Sequence, residues 1–363
     1  SLVFAGFKSG PKKLKIVAVS NHSCVRVHKQ ALPLLESGEY EIHLLAAKHS
    51  SFAECYYTFG HWLEVGQLNN FIKLHASTTD IFWVHNEPSW FVTLIKEICP
   101  DKPVILDVHD SFLARTTKEE ADIKLSNGEN PVRVSAEERN NFQLADGLVF
   151  PGVSFADLVK KEFKLSQPSI VLRSHVPQRL YRYNMQEWLG GLVYEGKVQT
   201  NTEGRVSHAF KYCDYKELAK ECFSQGVDFH IYGARDDKEF MDIYKDIAII
   251  HPPYVLDVLL RQISRHDWGL VGNLHPHSEW DYAMPNKLFE YVAAGVPVVA
   301  LNAKECGEYV VEKGIGISVN SLQELTERWK EHTEIRKNLL KTRRGLNMEE
   351  NIGSLKSLYE QLL

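Results

Sequence analysis

The stretch 281–302, DYAMPNKLFEYVAAGVPVVALN, constrains this chain more than any other, because it reads as loop, helix, tight turn and buried strand in direct succession. Pro285 suits a first helical position: its missing N–H would be unpaired there and its fixed φ already fits a helix. Leu288, Phe289 and Val292 recur at helical spacing, Gly295 stands where a left-handed cap residue belongs, and Pro297 blocks continuation. The run 296–301 is short, apolar and β-branched, as a strand covered on both faces would be.

The polar residues left over, Asn286, Lys287 and Glu290, gather at one end of that helix. A helix N-terminus carries unpaired amide N–H groups and a partial positive charge, so it seats phosphate well, and Lys287 adds a full charge. Glu290 lies three residues on, hence on the same face and one turn deeper. That depth suits a carboxylate accepting from ribose hydroxyls. Taken alone, the same residues also read as a capped surface helix with one solvated Lys–Glu pair.

Elsewhere, strand-length apolar runs alternate with longer helical patterns, the mark of parallel sheets with crossover helices. Strands are expected at 16–20, 41–46, 81–85, 104–109, 147–150 and 169–172, and again at 190–194, 228–232, 247–251, 268–271, 296–301 and 316–319. Two doubly wound α/β domains account for both sets, which fits a length of 363 residues. Their boundaries are expected at 1–177 and 178–345, with the polar stretch 178–189 as hinge and 346–363 as a terminal amphipathic helix. The stretch 112–131 reads as a long mobile loop, marked by Asn127-Gly128, with room for one helical turn, and 135–145 as a helix opening on a Ser135/Glu138 capping box. The acidic pair Glu137/Glu138 reads as a solvated helix start.

Open α/β sheets bind ligands at the carboxyl ends of their strands. After the first strand comes NHSCVRVHKQ, where Arg26 faces the expected cleft; after the third comes His85-Asn86-Glu87-Pro88; after the fourth, Asp107-Val108-His109-Asp110. His22, Arg26, His85 and Glu87 are the weaker, acceptor-side candidates. In the second domain, Gly233 ends a strand where a backbone can approach a ligand closely. His251-Pro252-Pro253-Tyr254 ends the next, a turn suited to pairing with the edge of a base. A histidine at a strand end is also an ordinary hydrogen-bonded structural residue.

The segment MPNKLFEYVAAGVPVVA resembles the C-domain signature of GT-B glycosyltransferases of the retaining family-four type, P-N-K-x-x-E-Y-x-A-x-G-x-P-V-V-A. The resemblance implies two Rossmann-like domains facing each other across a cleft, with the terminal helix crossing back to the first. It implies transfer of a sugar from a nucleoside-diphosphate sugar to a hydroxyl acceptor with retention. Asn286 and Lys287 would contact the diphosphate and Glu290 the ribose. Tyr282 stands where the commoner signature has a second glutamate near the donor sugar, with Glu279 and Asp281 nearby but off register. The string 190–197, GGLVYEGK, is similar to the family's Y-x-G-R/K opening, whose basic residue clamps the diphosphate, a role that falls to Lys197 and, at unusual spacing, Arg205. D-x-H-D resembles the family's N-domain cleft and places His109 on the donor sugar, with Asp110 orienting it or binding acceptor. The resemblance is close over 190–320 and loose before it. A sugar-nucleotide epimerase, a GT-B phosphorylase and a catalytically silent module that binds a sugar nucleotide or glycan share the fold and stay open.

Composition narrows the field further. A net charge of -5 argues against nucleic-acid binding through phosphate attraction, and 44% apolar with 25% charged residues is ordinary for a soluble protein. The longest apolar runs are strand-sized, so a cytoplasmic location is expected, with peripheral membrane contact left open. Six scattered cysteines without C-x-x-C read as free thiols, and the lone H-x-H pair His275/His277 as loop composition. No metal or other cofactor is expected, and D-x-D and G-x-G-x-x-G are absent.

Overall fold

The computed structural model describes residues 12–22, 24–48, 58–60, 65–85, 88–183, 187–198, 212–233 and 238–363. They form two parallel sheets with helices on their faces. The first comprises β1 (Leu14–His22), β2 (Tyr40–Lys48), β3 (Thr58–Gly60), β4 (Ile81–His85), β5 (Val104–Asp107), β6 (Gly147–Phe150) and β7 (Ser169–Val171), in the order β3-β2-β1-β4-β5-β6-β7. The second comprises β8 (Leu192–Gly196), β9 (Phe229–Gly233), β10 (Ile249–His251), β11 (Trp268–Gly272), β12 (Val298–Leu301) and β13 (Gly316–Val319), in the order β10-β9-β8-β11-β12-β13. The strand order reverses between β1 and β4 and between β8 and β11, so each sheet opens a ligand crevice at those carboxyl ends.

Every strand expected from the sequence is present, shifted by two residues or fewer at its ends. β3 was not anticipated: three residues at a sheet edge carry too little pattern. The loop expected over 112–131 is instead two helices, Phe112–Arg115 and Lys118–Ser126. Thr117 caps the second, its hydroxyl accepting from the Glu120 amide at 3.2 Å while the Glu120 carboxylate accepts from the Thr117 amide at 2.9 Å. The next helix spans Pro131–Leu144 and starts at Asn130, so Ser135 is inside it rather than its cap. Glu138 is no solvated helix start either: it accepts from the Ser111 hydroxyl at 2.7 Å and the Phe112 amide at 3.1 Å.

Each domain is built round its own core, but the chain's end belongs to the first. Leu355, Leu358 and Tyr359 of the Gly353–Leu362 helix are buried in the first domain's core. In the second domain the Asn286–Ala294 helix lies across β8 and β11. Its Tyr291 ring sits on Gly269 of β11, where a Cβ would come within 2.4 Å of the ring. The Tyr291 hydroxyl accepts from the Glu195 amide at 3.2 Å, and its own proton faces the carbonyls of Leu270 at 3.1 Å and Val193 at 3.2 Å.

That contact makes Gly269→Ala a test of the packing. Overfilling a well-packed core by one methyl costs about 1–3 kcal/mol. The expected result is a urea midpoint lowered by that free energy divided by the m-value; an unchanged midpoint would mean that the ring does not rest on the strand.

Candidate functional site

Pro285 is the N-cap of the Asn286–Ala294 helix, one position earlier than the sequence implied, and Gly295 caps the other end with φ 73°. The first turn contains no acidic residue, so its amides and Lys287 form a positive end, with the Glu290 carboxylate one turn deeper. This end opens into a cavity of about 430 Å³ between the two sheets. Cys24, Val25, His109 and Asp110 line it from the first domain; Glu195, Gly196, Lys197, Asn286, Lys287 and Glu290 line it from the second. Gly196, with φ 122°, turns the chain at the end of β8, and a Cβ there would lie 3.6 Å from the Lys287 ammonium. That ammonium also sits over the Tyr194 ring, 5.3 Å from its centroid. Six sequence candidates, His109, Asp110, Lys197, Asn286, Lys287 and Glu290, therefore share one cavity.

A residue the sequence reading missed reaches the centre of it. Lys29, on the Val25–Glu36 helix of the first domain, donates to Glu290 Oε1 at 2.7 Å and to Asn286 Oδ1 at 3.3 Å. Both members of the Lys29–Glu290 pair are buried. Glu195 is hydrogen-bonded to Glu290 as well. Burial first, and then the neighbouring Glu290 charge, push the Glu195 carboxyl well above the usual carboxylate range. Burial opposes ionisation of Glu290 too, but the Lys29 ammonium prevails and holds its pKa below the ordinary value. The two opposite shifts favour the proton on Glu195 and the negative charge on Glu290.

Across the cavity, Asp107 organises the first-domain wall. Arg26 Nε donates to Asp107 Oδ1 at 2.8 Å, and the rest of its fork goes to the Ser174 hydroxyl at 2.7 Å and the Leu172 carbonyl at 2.8 Å. Arg26 is therefore buried and saturated, not presented to the cleft as the sequence suggested. Gln30 donates to the other Asp107 oxygen at 2.9 Å. Burial raises the pKa of Asp107, yet Arg26 and the two histidines outweigh it and keep the carboxyl ionised. His109 Nε2 lies 3.3 Å from Asp107 Oδ1 and 3.3 Å from His85 Nδ1. Burial holds His85 neutral, so the stronger acceptor for the His109 Nε2–H is Asp107. His85 lies behind His109 against the Trp83 ring and does not line the cavity. Asp110 pairs with Arg115 at 3.0 Å.

Three second-domain candidates lie elsewhere. Tyr282 packs against the first domain's core, while Glu279, on the same Ser278–Tyr282 helix, lines the cavity, its pKa raised by burial. Counting back eight residues from Glu290 misleads because Ala283 and Pro285 are extended, at ψ 137° and 157°, so helical spacing does not carry through. His251 stacks on Tyr232, centroids 4.0 Å apart and planes 1° apart, with its Nε2 2.9 Å from His230 Nδ1. Burial lowers its pKa to about 4, and it does not border the cavity. Gly233 pairs with Gly196 one strand further out. Arg205 and Glu87 lie outside the described residues, as does the side chain of His22. Among the described residues, two side-chain groups have the donor types of a transition-metal site: Cys24 with His85 and His109, and His230 with His251 and His266. His275 and His277 bind separate acidic partners, Glu217 and Glu120.

The buried pair has measurable consequences. Lys29→Met leaves the Glu290 carboxylate without a counter-charge, and the expected loss in urea unfolding is about 3–5 kcal/mol, most of it recovered in the Lys29→Met/Glu290→Leu double variant. No recovery would mean that the loss comes from packing rather than charge. A carboxyl with a raised folded pKa keeps its proton while the unfolded chain has released it, so it costs stability increasingly as pH rises from the ordinary carboxyl range towards that raised value. Glu195→Gln removes this cost. Its melting temperature is expected to gain on the wild type from about pH 5 to about pH 8; a gain that grows towards acid would contradict the assignment.

Part of the second-domain wall, from Leu256 to Glu290, falls within a recognisable sequence model, whereas Glu195, Gly196 and Lys197 precede it. Residues 209–345 match the model described as glucosyltransferase 3-like, C-terminal domain. No curated protein sequence matches the chain. Among solved structures, sucrose-phosphate synthase from Thermosynechococcus elongatus superposes with a TM-score of 0.70 at 11% identity, covering 96% of this chain and 99% of that one. The Anabaena HepE protein in complex with UDP-glucose gives 0.62 at 12% identity, with 96% and 100% covered. Trehalose 6-phosphate synthase from Burkholderia multivorans gives 0.63 at 11% identity, with 97% of each covered. The chain thus has the GT-B fold of these glycosyltransferases over nearly its whole length, and its second half carries a glucosyltransferase 3-like C-terminal domain.

Proposed function

We propose that this chain is a glycosyltransferase that moves a sugar from a nucleoside-diphosphate sugar to a hydroxyl acceptor with retention. The observation that carries the reading is the positive helix end at Asn286 and Lys287, opening with Lys197 into the cavity between the two sheets. A diphosphate seated there meets two ammonium groups and the free amides of a helix start. As the bond from the anomeric carbon to the diphosphate oxygen breaks, its electron pair leaves on that oxygen, and these groups stabilise the growing charge. The acceptor oxygen forms the new bond to the same carbon, and its proton ends on the departing nucleoside diphosphate. His109, steered by Asp107, faces the transferred sugar from the other wall, and Glu279 takes the neighbourhood that the sequence assigned to Tyr282. Glu290 binds the ribose by accepting from its hydroxyls while Lys29 stays beside it as counter-charge.

A second reading, a module that binds the sugar nucleotide without turning it over, is favoured by one observation: Lys29 already occupies Glu290. Isothermal titration with UDP-glucose and assay of acceptor-dependent UDP release separate the two. Lys287→Ala is expected to weaken UDP binding at least tenfold, or about 1.4 kcal/mol. His109→Ala is expected to bind UDP-glucose normally while losing roughly a hundredfold in turnover. Unchanged affinity in Lys287→Ala would sink the diphosphate assignment; full turnover in His109→Ala would remove that residue from the chemistry. UDP release at the same rate with and without acceptor would favour an epimerase or hydrolase instead.

A further inference from the structure

The larger depression of the first domain has no part in the donor site described above, yet it touches it. It has a volume of about 750 Å³ and lies between the Phe91–Ile98 and Pro131–Leu144 helices. Asp110 lines both this depression and the cavity between the sheets, so one side chain stands at their junction. Building on the glycosyltransferase reading, we infer that this depression is the acceptor site and that it takes a sugar bearing no phosphate or carboxylate.

Three features of its wall carry the inference. Trp90 is 39% exposed and lines the depression, its ring held edge-on to Phe91 at 4.6 Å. An indole fixed in that way offers the apolar face on which a sugar ring's C–H groups stack. Beside it stand amide groups from Asn140 and Asn141, of which Asn141 is oriented by bonds to Thr93 at 2.7 Å and Ser89 at 3.0 Å. Neutral donors and acceptors of this kind pair with hydroxyls. The charge is weighted to one side: Glu97, Asp110, Glu137 and Glu138 line the depression, and of these Asp110 and Glu137 pair with arginines, Arg115 at 3.0 Å and Arg133 at 2.8 Å. Glu138 is fixed by Ser111 and Phe112, so its carboxylate cannot swing away. A phosphate or carboxylate entering here meets like charge, which costs affinity, whereas hydroxyls find acceptors. The volume suits one or two sugar rings.

The test measures binding directly, without relying on turnover. Saturation-transfer NMR with methyl α-glucoside, maltose and glucose 6-phosphate is run on the wild type, Trp90→Ala and Glu97→Lys/Glu137→Lys, with UDP-glucose affinity measured in parallel. The expected result is saturation of at least one neutral sugar and none of glucose 6-phosphate in the wild type. Loss of the neutral signal is expected in Trp90→Ala, with UDP-glucose affinity unchanged within twofold. The charge-reversed variant is expected to acquire a glucose 6-phosphate signal. The proposal is overturned if Trp90→Ala keeps the neutral-sugar signal, if the wild type saturates glucose 6-phosphate as strongly, or if no neutral sugar is saturated at all. Failure of UDP-glucose to bind counts against the transferase reading alone, because the sugar signals are read without donor.

Discussion

A lysine from one domain inserted against a glutamate of the other governs how this molecule is put together. Lys29 and Glu290 are 2.7 Å apart and out of water, so neither charge can be left without the other. The pair fixes the Val25–Glu36 helix against the start of the Asn286–Ala294 helix and thereby sets the width of the cavity between the sheets. A second contact works in the same sense. Glu305 of the second domain accepts from the amides of Val153 at 2.6 Å and Ser154 at 3.1 Å, capping a helix of the first. The terminal Gly353–Leu362 helix, buried in the first domain's core, is a third tie.

Around that pair the charges are arranged so that the two walls differ in kind. The second-domain wall holds cations and amides near Gly196, Asn286 and Lys287, with the negative charge of Glu290 one turn deeper and a protonated Glu195 beside it. The first-domain wall is a chain in which Arg26 holds Asp107 and Asp107 orients His109. Burial keeps His85 behind it neutral. One wall suits an anion that must depart; the other suits a neutral ring that must be held still.

Much of this was readable. Strand positions follow from apolar runs whose meaning is local, and the helix at Asn286 follows from Pro285, Gly295 and the spacing between them. Lys197, Asn286, Lys287 and Glu290, singled out from the helix start and from the family resemblance, do line one cavity, because they sit at strand and helix ends of one sheet. Arg26 was misassigned because a charged residue near a strand end has two outcomes, cleft or buried network, and only Asp107, 81 positions away, decides between them. Tyr282 was misassigned because the extended residues between two short helices break the count. The capping box that starts the second helix of 112–131 was legible in Thr117 and Glu120, but a helix this short has too few periodic apolar residues to stand out from loop.

The amino-acid sequence by itself determined the two parallel sheets and the positive helix end, because these depend on the pattern within a few tens of residues. The tertiary structure alone decided that Lys29 meets Glu290, that Glu195 keeps a proton, and that Glu279 rather than Tyr282 faces the cavity. Those outcomes depend on distances between elements of separate domains, and a side chain's charge state is set by what surrounds it in space rather than by what flanks it in the chain.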